Sequence, residues 1–122
     1  MTPHRPRPGI HPGQVILVHL INPTEKFWGV LEELGVAGVT FRGIGVESFD
    51  DWVAQAVRAG SEPQSLGLST MFVPLFRVER IFLDEPVGQV ESYGQRFERR
   101  VGVAVEEYLG LDAGAFGEVE PS

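Results

Sequence analysis

Between residues 15 and 44 the chain carries three apolar runs, each too short for a typical helix and each cut by turn-forming residues. That spacing constrains the fold more than any other feature. Val15 to Ile21 is aliphatic at every position but His19, the pattern of a strand covered on both faces. Asn22-Pro23-Thr24 ends it, because proline donates nothing to a ladder and asparagine suits turns. Phe27 to Leu34 reads as a second strand, Gly35 to Gly38 as a turn, and Val39 to Ile44 as a third strand. In the third, Val39 and Phe41 fall on one face, with Thr40 and Arg42 on the other. Short strands joined by tight turns predict an antiparallel meander.

The period then changes from two to 3.6. Phe49, Trp52, Val53, Ala56 and Val57 keep the i, i+3, i+4, i+7, i+8 spacing of one helical face, and Gly60 supplies a C-terminal stop. The predicted helix runs over 49–59, with Ser48 and Asp51 expected to form a capping box. Ser61 to Gly67 reads as a polar loop. Residues 70–83 return to strand composition, but Pro74 requires a sheet edge, a bulge or a break. The expectation is a strand near 70–73, a bend, and a strand over 76–83. Ser92 with Gln95 predicts a second capping box, opening a helix over 92–108 along Tyr93, Phe97, Val101, Ala104, Val105 and Tyr108.

With 122 residues the chain fits one domain; two cores of half that size would each be marginal. We read residues 1–13, with four prolines, as an arm, 14–110 as the domain, and 111–122 as an acidic tail. The expected fold class is mainly β, within α+β: a small, strongly bent antiparallel barrel of about five strands, with one inserted and one C-terminal helix. Gly29, Gly35, Gly38, Gly43 and Gly45 are expected at its turns and bends.

Chemistry is sparse. There is no cysteine, so neither a disulfide nor a thiolate metal site can form, and a cytoplasmic location is expected. No apolar run approaches the ~18 residues that span a bilayer. His4, His11 and His19 lack ligand spacing, so no metal, cofactor or catalytic residue is assigned. The pairs Glu32-Glu33, Asp50-Asp51, Asp84-Glu85 and Glu106-Glu107 read as solvated or capping groups. The net charge of −7 disfavours RNA, which a local basic patch can still bind. Arg42, Arg77, Arg80 and His19 are the candidate ligand-binding residues, with Arg96, Arg99 and Arg100 adding charge nearby. Trp28 beside Phe27, and Phe72 with Phe76, read as core aromatics in preference to base-stacking platforms.

The stretch from Gly13 to Pro23, then Glu25-Lys26-Phe27-Trp28-Gly29-Val30-Leu31, resembles the first two strands of the Sm-like small β-barrels, in which a central glycine permits strong bending. Thr70-Met71-Phe72-Val73-Pro74 and Arg77-Val78-Glu79-Arg80-Ile81 resemble the closing pair of strands. The resemblance covers residues 13–44 and 70–83. It implies a barrel that forms a homo-oligomer, as a ring or a dimer, through edge residues Phe72, Pro74, Phe76 and Val78. Leu34 to Gly38 and Val73-Pro74-Leu75 stand where that family carries its RNA-contacting signatures, and match neither. The helix at 49–59 would then be an insertion. PRC-type and SH3-like barrels fit the same string. Three functions stay open: an assembly module, an RNA-binding barrel, and an enzyme with a site around His19 and Asp84-Glu85.

Overall fold

A computed structural model of the protein describes residues 9–60 and 67–111. Residues 1–8, most of the loop 61–67 and all of the tail beyond Leu111 therefore lie outside the described residues. The elements are β1 (Val15–Leu20), β2 (Glu25–Leu34), β3 (Gly38–Gly45), α1 (Phe49–Ala59), β4 (Ser69–Pro74), β5 (Val78–Leu83), α2 (Tyr93–Val101) and α3 (Val105–Tyr108). Short 3-10 turns at Val46–Ser48 and Leu75–Arg77 precede α1 and β5. All pairings are antiparallel in one sheet of order β4-β3-β2-β1-β5.

The mainly β, five-stranded reading holds, but the sheet is not closed. β4 and β5 are its two edges and do not pair with each other. The sheet curls instead. Its inner face buries Ile16, Val18 and Leu20 from β1, Leu31 from β2, Val39 and Phe41 from β3, and Val73 from β4, with Ile81 and Leu83 of β5 packed against them. One cluster thus draws side chains from all five strands without a second layer. Each fully buried aliphatic or Phe side chain stabilises such a cluster by roughly 1.5–3 kcal/mol. The curl depends on two glycines that face each other across β2 and β3, Gly29 and Gly43. A methyl group on Gly29 would run into the Arg42 carbonyl oxygen and stand 2.7 Å from the Gly43 Cα. The backbones approach too closely there for any side chain.

On the outer face the three helices cover an aromatic cluster. α1 seats Phe49, Trp52, Val53 and Ala56 over Trp28 of β2, and Phe97 of α2 and Val105 of α3 complete the layer. Trp28 meets Phe49 edge-on at 4.9 Å, and Trp52 lies 5.3 Å from both Trp28 and Phe97. The α1 bounds agree with the helical periodicity, but its cap does not. Ser48 belongs to the preceding 3-10 turn with helical backbone angles, so its hydroxyl caps nothing. The Ser92–Gln95 capping box is present, with both of its hydrogen bonds.

Other expectations shift. The single helix expected over 92–108 is two, because Gly102 stops α2 at a φ of 99°, a left-handed angle that glycine adopts without steric cost. Ile21 falls in the turn after β1, and Phe76 in the 3-10 turn before β5. Residues 9–13, read as the end of the arm, are tied to the sheet. The Gly13 amide donates to the Leu31 carbonyl, and Ile10 packs on the inner core. No helix among the described residues is long and apolar enough to cross a membrane.

Candidate interaction edges and the basic row

An edge strand presents a row of unpaired backbone groups, and proteins guard such rows with charge, proline or bulges. The two edges here are guarded unequally. β4 reads Ser69-Thr70-Met71-Phe72-Val73-Pro74 and contains no charged residue. Phe72 is 57% exposed, and Pro74 terminates the strand. The Leu75 amide then donates to the Ala37 carbonyl at 3.0 Å, docking the following turn on the β2–β3 hairpin tip. That end of the sheet is apolar and open: Val36 is 97% exposed and Phe76 81%, with Leu34 and Leu75 also exposed. Phe72 and Phe76 are therefore surface aromatics, contrary to their reading as core residues. Both lack a layer above them because Val73 alone of β4 is buried in the inner core.

β5 is different. It carries Glu79 and Arg80, which pair with each other at 3.2 Å. Just before it, Arg77 is committed to the β1–β2 turn. Its Nε donates to the Ile21 carbonyl at 3.0 Å, and its Nη2 to the Pro23 carbonyl at 2.7 Å and to Glu25 at 3.0 Å. Arg77 thus acts as a staple for the turn. Val78 is half-buried against Leu20 and the inner core, so it belongs to the opposite edge from Phe72 and Pro74.

Of the four candidate ligand-binding residues, the structure brings two together. Cross-strand register sets Lys26 of β2, His19 of β1 and Arg80 of β5 in one row. The Phe82 ring lies 4.8 Å from that of His19, with the Arg80 guanidinium 5.9 Å from its centre. Burial lowers the His19 pKa most, the positive charge of Lys26 lowers it further, and Glu79 pulls the other way ahead of a last lowering by Arg80. Arg42 is elsewhere: it sits beside Val30 on β3 and pairs with Glu32 at 3.5 Å. Arg96 and Arg99 are absorbed in ion pairs with Asp50 and Glu91. Sequence reasoning passed over Lys26 and Phe82. Their alternation with neighbours was visible, but the register that aligns them was not.

The carboxylates near β5 have structural work. Asp84 accepts hydrogen bonds from the Tyr93 and Gly94 amides at 2.9 and 2.8 Å and from the Trp28 indole at 3.2 Å. It therefore caps the N-terminus of α2 and joins it to the sheet. His19 and Asp84 do not converge. The Asp84 amide bonds to Val15, four residues along β1 from His19, which is about 13 Å of strand. A groove of about 740 Å³ opens beside Asp84, floored by Val15, Leu83 and Leu111 and rimmed by Glu85, Glu106 and Glu107. Among the described residues, no cluster of three or more His, Cys, Asp or Glu side chains is placed to hold a metal ion. No protein-family model, curated protein or solved structure matches this chain.

Proposed function

We propose that this protein is a non-catalytic assembly module of Sm-like type, homo-oligomeric and built through the edges of its sheet. The observation that carries the reading is β4, a six-residue edge strand with no charge and an exposed phenylalanine at its centre. Left bare, such an edge is a template for strand addition, and its exposure in a stable protein calls for a partner. The apolar end formed by Val36, Leu75 and Phe76 extends the same surface. The three-strand meander, its bend at Gly29 and the edge positions of β4 and β5 support the Sm-like part of the reading. The cysteine-free composition supports a cytoplasmic setting. Light scattering at micromolar concentration tests the assembly directly. A mass of two or more chains is expected, and a monomeric mass throughout overturns it.

A second reading rests on a separate observation, the Lys26–His19–Arg80 row beside Phe82. Cations next to an exposed ring suit single-stranded RNA, which binds by stacking and phosphate contact. In that case uridine- or adenine-rich oligonucleotides bind at low salt, weaken as salt rises, and are lost in a Lys26→Ala, Arg80→Ala double variant. Absence of binding at low salt removes this reading.

A further inference from the structure

Deepening the assembly reading, on which it rests, we infer that two chains pair β4 against β4 about a two-fold axis, closing as a dimer. Identical chains can join their edges in two ways. Pairing β4 with β5 of the next copy is head-to-tail and builds a ring or a filament; pairing β4 with itself closes at two. The first route needs both edges to accept a strand. β5 carries Glu79 and Arg80, and its ladder to β1 slips at Glu79, opposite His19 and Leu20, so an added strand would meet both charge and a bulge. β4 has no such obstacle on either face.

The backbone fixes the register. The Leu75 amide points to the Ala37 carbonyl just before β3, and the Val73 carbonyl lies against Gly38 on the same side. Backbone groups alternate sides along a strand, so Thr70, Phe72 and Pro74 direct theirs outward, away from β3. Hydrogen-bonded partners across a β4–β4 ladder must come from these three. A two-fold axis at Met71 sets Thr70 opposite Phe72 of the partner subunit, and every outward amide in that span can donate. An axis at Phe72 would set Thr70 opposite Pro74 of the partner subunit, which has no amide hydrogen to give. The Met71-centred register is the one the edge can satisfy. It also lays the exposed Phe72 ring beside the Thr70 side chain of the partner subunit, on the same face of the sheet.

The cysteine-free sequence makes the test clean. At the axis a residue faces its own copy, with Cα atoms about 4.5 Å apart in a non-hydrogen-bonded pair, within disulfide reach. Under mild oxidation Met71→Cys is expected to cross-link to itself at least tenfold more than Val57→Cys, an exposed control on α1. A mixture of Thr70→Cys and Phe72→Cys chains is expected to link one to the other, with circular dichroism confirming that each variant folds. An oligomer in which Met71→Cys stays unlinked, or in which cysteines on β4 link only to one placed at Ile81 of β5, overturns the two-fold pairing and leaves the assembly reading standing. A monomer at every concentration overturns both.

Discussion

The two edges of the sheet are protected unequally. β5 is guarded in its first half by Glu79 and Arg80, stapled at its start by Arg77, and fastened at its end by Asp84, which joins α2 to Trp28 of the sheet. β4 has none of these. It ends in Pro74, carries Phe72 outward, and contributes one buried side chain, Val73. The difference teaches that edge protection is selective. Charge stands on one edge and is missing from the other, so the two edges resist strand addition unequally.

The largest effect is expected from erasing that asymmetry. Placing Thr70→Glu and Phe72→Glu on β4 charges that edge and, in the Met71-centred register, sets like charges directly opposite each other across the two-fold axis. The dimer dissociation constant should rise at least about a hundredfold, near 2.7 kcal/mol, in a light-scattering dilution series. An unchanged constant would mean that β4 is not the contact. Next comes the fastening of β5. Asp84→Ala removes three hydrogen bonds at a half-buried helix end, and urea unfolding should show a loss of about 2 kcal/mol. Asp84→Asn, which keeps an acceptor, should lose less. Stripping the guard from β5 with Glu79→Thr and Arg80→Thr should cost under about 1 kcal/mol in stability, since the pair is exposed. It should, however, yield species larger than a dimer in sedimentation, because charge then no longer opposes a strand at that edge.

The smallest effect is a pH dependence beside β5. The His19 pKa lies below its ordinary 6.5 in the folded chain, through burial and then through Lys26 and Arg80. As pH falls below 6.5 the unfolded chain takes up a proton that the folded chain resists, so stability declines until pH passes the lowered folded value and then levels. A His19→Gln variant should lose that part of the slope while keeping the remainder. If its pH profile superimposes on that of the parent, the row exerts no field on the imidazole.

Much of the fold was legible from local pattern. The spacing of Phe49, Trp52, Val53 and Ala56 places α1, and Pro74 marks the break between the last two strands. Both rest on periodicity or on a missing donor, which act over a few residues. The single helix expected over 92–108 failed for a related reason. Its apolar stripe stays in phase across Gly102, and a glycine costs a helix only about 1 kcal/mol, so the break shows in the backbone angle alone. Among the candidate ligand residues, the bonds of Arg77 to the turn after β1 left no local trace, because its partners, Ile21 and Pro23, are more than fifty positions away in sequence.

By itself the sequence determined the kinds of element, their order, and which strand carries charge and which does not. Alternation and helical period are properties of neighbouring residues, and they survive without a tertiary fold. The tertiary structure alone decided that β5 returns to β1, that Lys26, His19 and Arg80 stand in one row, and that Asp84 caps a helix. Each depends on register between distant segments, where a shift of one residue turns every side chain to the other face. It also decided that the sheet stays open, leaving β4 exposed beside an apolar end.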